Sequence, residues 1–162
     1  MVNSFLLKQF GIGDFDLYYA LVRDERVMAM ITERALSLEE ATSDFEKMLD
    51  NNDLHPAFGY FKIVDGDTFI GLAKLEVEVA DSQVAELGYM LLPAYWGMGI
   101  GSQVAMRLLE IARSSSQLKT INAIVDPANL PSRKILLNSG FISKGFKDFD
   151  GLPGEILEMD IV

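Results

Sequence analysis

A chain of 162 residues has the length of one domain, and its 49% hydrophobic and 23% charged residues describe a globular protein rather than a disordered one. Its 24 acidic against 14 basic residues leave a net charge of −10, which lacks the basic face a nucleic-acid binder needs and is compatible either with a cationic substrate or with solubility alone. Cysteine is absent and His55 is the single histidine, which excludes disulfides, thiolate or histidine-rich metal sites and a cysteine nucleophile.

In chain order, residues 4–10 read as a first short strand and Asp14 to Ile31 as a helical region. Ser37 opens a clearer helix, running to about Leu49, because Ser37-Leu38-Glu39-Glu40 is a capping box. Ala57 to Val64 reads as a strand. Asp65-Gly66-Asp67 is a hairpin signal, and Thr68 to Val79 returns, with Leu75, Val77 and Val79 alternating against Glu76 and Glu78. Val84 to Leu92 completes an antiparallel meander. Ser102 to Ser115 is a helix with one broad apolar stripe, Val104, Ala105, Leu108, Leu109, Ile111 and Ala112. Thr120 to Val125 is a short buried-type strand. Pro131 suits the first residue of a helix that Gly140 closes. Strands at Phe141–Phe149 and Glu155–Val162 flank a turn at Asp150-Gly151. The order β-α-α-β-β-β-α-β-α-β-β predicts a mixed α+β fold, one central sheet with helices on its faces.

No linker or repeat divides residues 1–162, so a single domain is expected. Met1-Val2-Asn3-Ser4-Phe5 lacks the basic and apolar regions of a signal peptide. The charge-free stretch that opens at Leu87 is broken by Gly88, Pro93, Gly97, Gly99 and Gly101, so no membrane association is expected. The expected address is the cytoplasm.

The loop Pro93-Ala94-Tyr95-Trp96-Gly97-Met98-Gly99-Ile100-Gly101-Ser102 lies between a strand and a helix. Alternate glycines let the backbone approach a ligand, and the helix behind adds unpaired N–H groups and a positive dipole end, a place for a phosphate or pyrophosphate. The dinucleotide fingerprint G-x-G-x-x-G fails, since its last position falls on Ser102. The nucleotide loop ending in Gly-Lys fails as well. A glycine-rich turn with no ligand remains the structural alternative.

Ala85-Glu86-Leu87-Gly88-Tyr89-Met90-Leu91-Leu92 followed by this loop resembles the acetyl-CoA-binding motif of the GNAT N-acetyltransferases, most closely the RimJ/RimL-like branch with its E-I-G-Y…P…Y-W-G-K-G-Y-A. Trp96, Gly99 and Gly101 stand at the positions of the superfamily pattern Q/R-x-x-G-x-G/A. A second segment, Asn129, Ser132, Leu136 and Gly140-Phe141, is similar to that branch's N-x-x-S-x-x-x-L-x-x-x-G-F. The resemblance implies a GNAT-like fold whose mostly antiparallel sheet splays between the fourth and fifth strands. It implies acetyl-CoA as cosubstrate, no metal, and a monomer or homodimer.

The cofactor contacts it implies are Met90, Leu91, Leu92, Trp96, Gly97, Met98, Gly99, Ile100, Gly101, Ser102, Asn129 and Arg133, with Lys134 beside the last. Met98 stands where the branch often has a lysine or arginine, so backbone N–H groups must carry more of the anion binding. Direct transfer to an amine needs a base, an oxyanion donor and help for the leaving thiolate. The family-like assignments are Glu86 as base, a backbone N–H near Met90 or Leu91 for the oxyanion, and the Ser132 hydroxyl toward the thiolate. Many members carry a tyrosine seven residues after the motif asparagine, where this chain has Leu136. Glu76 and Glu78 are secondary candidates for amine recognition. Phe15, Tyr18, Tyr19 and His55 are candidates near the acceptor, with core or surface roles as the alternative. The expected acceptor is a primary amine: a protein N-terminus, or a small amine such as a polyamine or an antibiotic. The rival readings are a non-catalytic acyl-CoA-binding module and a nucleotide binder.

Overall fold

The computed structural model describes residues 4–161; the predicted end of the last strand at Val162 lies outside them. Seven strands form one sheet: β1 (Leu6–Gln9), β2 (Gly59–Asp65), β3 (Thr68–Glu76), β4 (Val84–Leu91), β5 (Thr120–Val125), β6 (Ile142–Phe149) and β7 (Leu152–Asp160), in the order β1-β2-β3-β4-β5-β7-β6. Every neighbouring pair is antiparallel except β4 and β5. The helices are α1 (Phe15–Val22), α2 (Glu25–Met28), α3 (Leu38–Asn52), α4 (Ile100–Arg113) and α5 (Leu130–Asn138).

Strand alternation divides the core. Ala73, Leu75, Ala85 and Leu87 join Val104, Leu108 and Ala112 of α4 in one apolar cluster. Leu72 faces the other way, into Tyr18, Leu21, Phe45 and Met48 of α1 and α3. The stripe read on 102–115 is the face α4 buries, and the helix starts earlier, at Ile100. Ser37 caps α3 in the predicted capping box, its side chain accepting from Glu40 N–H, a device worth about 1 kcal/mol.

The expected helix over 14–31 is two helices. Asp24 interrupts it because its carboxylate accepts from the N–H groups of Arg26 and Val27 and starts α2. The third strand ends at Glu76, not Val79: pairing stops at Glu76 opposite Glu86, and Val79 is exposed. Pro131 takes the second helical position, since Asn129 caps α5 and Leu130 begins it. The last hairpin is tighter than read. Asp150 and Gly151, both at positive φ, turn the chain in two residues, so β7 begins at Leu152.

The expected splay is visible in the register. β4 pairs with β5 only from Val84 to Glu86, against Thr120 to Asn122. Beyond that rung β4 runs on to Leu91 and β5 to Val125 without pairing, and a wedge opens between them.

Candidate active site

Two cavities enter the wedge from opposite sides. One, of about 630 Å³, is lined by the glycine loop, the first turn of α4, α5 and Arg26. The other, of about 510 Å³, is lined by Tyr18, Tyr60, Lys74, Glu76, Glu86 and the β6–β7 hairpin, among others. They meet at Met30, Ile31, Tyr89, Met90, Asn129 and Ser132, which line both.

Backbone geometry builds the first cavity. Gly97 and Gly99 stand at φ +74° and +77°, and a Cβ on either would meet open space. The loop therefore offers bare backbone to a ligand. No side chain caps α4, whose N-cap is Gly99, so its first N–H groups face the cavity at the positive end of the dipole. Both features fit a pyrophosphate group. Gly101 is required for closeness: a Cβ there would lie 3.2 Å from the Tyr89 ring and 3.3 Å from Ile135.

The free edge of β4 supplies further donors. Leu92 N–H donates to Ile70 O at 2.9 Å, and the Met90 carbonyl points at Gly71 of β3. Alternation then turns the N–H and carbonyl of Leu91 into the wedge. Its carbonyl accepts from Trp96 Nε1 at 2.9 Å, which pins the loop to the strand end. Of the two positions considered for the oxyanion donor, Leu91 is the one whose N–H faces the wedge.

The second cavity has a charged floor. Glu86 is ion-paired with Lys74, whose ammonium also lies 3.5 Å from Glu76. The Tyr60 hydroxyl donates to Glu76. Burial, then this carboxylate, pushes the Tyr60 phenol far above its usual range. Glu86, Gly88 and Met90 share the face of β4 toward this cavity, while Tyr89 and Leu91 lie on the face toward the first cluster. Tyr89 and Ser132 hydroxyls share a hydrogen bond of 3.1 Å. Burial raises the Tyr89 phenol above its ordinary value, and the Ser132 contact acts against that.

Of the residues expected at the cofactor, Met90, Leu91, Trp96, Gly97, Gly99, Ile100, Gly101, Ser102 and Asn129 line the first cavity. Ile100 does so by backbone, since its side chain is buried in the core. Three expected contacts lie off it. Leu92 packs into the α1–α3 cluster. Met98 is an exposed side chain between two positive-φ glycines. Arg133 is held by Glu155, Nε to Oε1 at 2.6 Å and Nη2 to Oε2 at 3.2 Å. Lys134 is exposed on α5. Asn129 caps α5 through Ser132 N–H at 3.4 Å.

Among the acceptor-side candidates, Tyr18 and Glu76 line the second cavity, whereas Phe15, Tyr19, Glu78 and His55 do not. Phe15 stacks on Tyr19 at 5.6 Å. His55 stacks on Phe58 at 4.0 Å, and its Nδ1 accepts from Ala57 N–H. Sequence reasoning missed Lys74, Tyr60, Tyr89 and Arg26. Only Tyr89 carried a signal, as an odd-numbered neighbour of Glu86 in the quoted motif, and so on the opposite strand face. Among the described residues, no helix is long and apolar enough to cross a membrane.

The chain is similar across nearly its whole length to known proteins. It is 24% identical over 156 residues to the uncharacterized N-acetyltransferase p20 of Bacillus licheniformis, covering 94% of this chain and 88% of that protein. Its fold matches the spermidine N-acetyltransferase from Vibrio cholerae, solved with CoA and spermine, at a TM-score of 0.80 and 19% identity, covering 98% and 96% of the two chains. It matches RimL, a ribosomal L7/L12 alpha-N-protein acetyltransferase solved with CoA, at 0.80 and 14%, covering 99% and 96%. The acetyltransferase (GNAT) domain family matches residues 4–142, so the splayed sheet and its glycine loop have relatives of known kind: the chain belongs to the GNAT acetyltransferases, acetyl-CoA-dependent enzymes that acylate nitrogen.

Proposed function

We propose that this chain transfers the acetyl group of acetyl-CoA directly to an α-amino group, such as a protein N-terminus, with Glu86 as the base. The observation that carries the reading is the meeting of the two cavities across β4. The pyrophosphate-type loop lies on one side, and a carboxylate on the strand's other face lies on the acceptor side. Gly97, Gly99 and the start of α4 hold the anionic end of the donor. Leu91 N–H supports the thioester oxygen, and Asn129 lines the passage. Arg26 lines the donor cavity with its guanidinium paired to Asp24 at 2.9 Å, and release from that exposed pair would let it supply the cation that position 98 lacks.

The charged floor favours an amine that arrives neutral. Lys74 already occupies one flank of Glu86, so an incoming ammonium meets a like charge there. An α-amino group, with a pKa near 7.7–8.0, is partly neutral at neutral pH, whereas a lysine-type amine near 10.4 is almost wholly charged. A small-amine reading keeps support from the net charge of −10 and from the spermidine enzyme among the fold neighbours.

A thiol-release assay with acetyl-CoA over N-terminal peptides, polyamines and aminoglycosides tests this. The peptides are expected to give the highest kcat/KM. Glu86→Gln should lower kcat by about 10²–10⁴-fold. Full activity in Glu86→Gln would sink the base, and faster turnover of spermidine than of any peptide would shift the acceptor to small amines.

A further inference from the structure

The residue at which many family members carry a tyrosine is Leu136, a buried core side chain here, so a proton donor for the leaving sulfur must come from elsewhere. Among the described residues, six line both cavities: Met30, Ile31, Tyr89, Met90, Asn129 and Ser132. Of these six, Tyr89 is the one with a titratable side chain. We propose that Tyr89 is the catalytic acid that protonates the departing CoA sulfur, with the Ser132 hydroxyl donating to its phenolic oxygen. This rests on the transfer reaction proposed above.

The position is built. Tyr89 follows Glu86 by three residues on β4, so the two side chains leave opposite faces of one strand. Its ring packs over Gly101 of α4, where an added Cβ would come within 3.2 Å of it, so the missing side chain is what admits the ring. Its hydroxyl ends 3.1 Å from Ser132 Oγ, beside the asparagine that caps α5. Glu86 therefore meets the amine from the acceptor side, while Tyr89 meets the sulfur from the donor side. A serine hydroxyl is too weak an acid to act alone. Beside Tyr89 it stabilises the transient phenolate.

The step balances. The bond from amine nitrogen to carbonyl carbon forms and the carbon–sulfur bond breaks. One amine proton passes to the Glu86 carboxylate, and the Tyr89 hydroxyl proton passes to sulfur, so CoA leaves as the thiol. Solvent then takes the proton from Glu86 and returns one to Tyr89.

The test needs no acceptor. The thiol of bound CoA is titrated by its thiolate absorbance in the ultraviolet, in the wild-type chain, Tyr89→Phe and Ser132→Ala. Phenylalanine keeps the ring over Gly101, so the fold and the CoA site should survive. A donor aimed at the sulfur makes the bound thiol more acidic than free CoA. Its removal in Tyr89→Phe should raise that pKa by about one unit or more, with CoA affinity within about threefold. In turnover, Tyr89→Phe should lose about 10²-fold in kcat, and Ser132→Ala less. An unchanged bound-thiol pKa in Tyr89→Phe would overturn the proposal. So would loss of the effect in Ser132→Ala but not in Tyr89→Phe, which makes serine the donor. A wild-type chain that binds no CoA overturns it together with the donor-site reading, whereas a wild-type chain active beside an unaffected Tyr89→Phe overturns this proposal alone.

Discussion

Arg133 is where two roles compete, and one substitution separates them. The motif places it as a contact to a CoA phosphate. The structure ties it bidentately to Glu155 of β7, whose side chain is 1% exposed. Replacing Arg133 with methionine keeps the apolar stem and strands a carboxylate in the interior. Breaking a buried pair in this way costs about 3–5 kcal/mol. The Arg133 side chain keeps 37% of its surface in water, which screens the pair and argues for the low end, about 3 kcal/mol. At roughly 2–4 °C per kcal/mol for a chain of this size, thermal unfolding should move down by about 6–12 °C. The double variant Arg133→Met/Glu155→Leu removes the stranded charge and should recover most of the loss. Calorimetry or circular dichroism reads the shift, and the KM for acetyl-CoA is measured in parallel. A single variant within about 2 °C of wild type, with KM raised tenfold, would refute the reasoning and return Arg133 to the phosphate.

Gly71→Ala should distort β4 where it borders the open end of the wedge. The new Cβ would lie 2.1 Å from the Met90 carbonyl oxygen, which forces β3 and β4 apart at a cost of about 1–3 kcal/mol and displaces the Leu91 donor. Urea unfolding and kcat should fall together, and an unchanged midpoint would count against the close approach. The acid limb of stability should also depend on Glu155. Hydrogen bonding from Arg133, and secondarily from Ser143, holds its carboxyl below the usual range against the opposing effect of burial. Its contribution is therefore present above the unfolded value of about 4.3 and is lost as pH falls from there through the folded pKa. Wild type should lose stability below about pH 4.5 more steeply than Glu155→Gln; parallel acid-unfolding curves would remove Glu155 from the account.

Local chemistry made much of this molecule legible in one dimension. The Ser37–Glu40 capping box, the stripe on α4, and the strand at Thr120–Val125 are short-range patterns, and each formed where its residues dictate. The glycine loop was equally readable, because an anion cradle is made from consecutive backbone groups. The misjudged boundaries fell where a side chain competed with the backbone, as at Asp24, or where pairing with another strand decided the end, as at Glu76.

What the sequence alone determined, then, is an acidic, cysteine-free α+β chain carrying the loop and strand motifs of an acetyltransferase. Only the tertiary structure decided which groups meet. Lys74 reaches Glu86 diagonally across β3 and β4, because its register partner is Gly88 and the lysine stem passes over that bare glycine; Arg133 reaches Glu155 across a separation of 22 residues, and Tyr89 reaches Ser132 across 43. These contacts span the sheet and the wedge, so no local period announces them. A carboxylate becomes a base, and a phenol a donor, by what packs beside it and which cavity it faces.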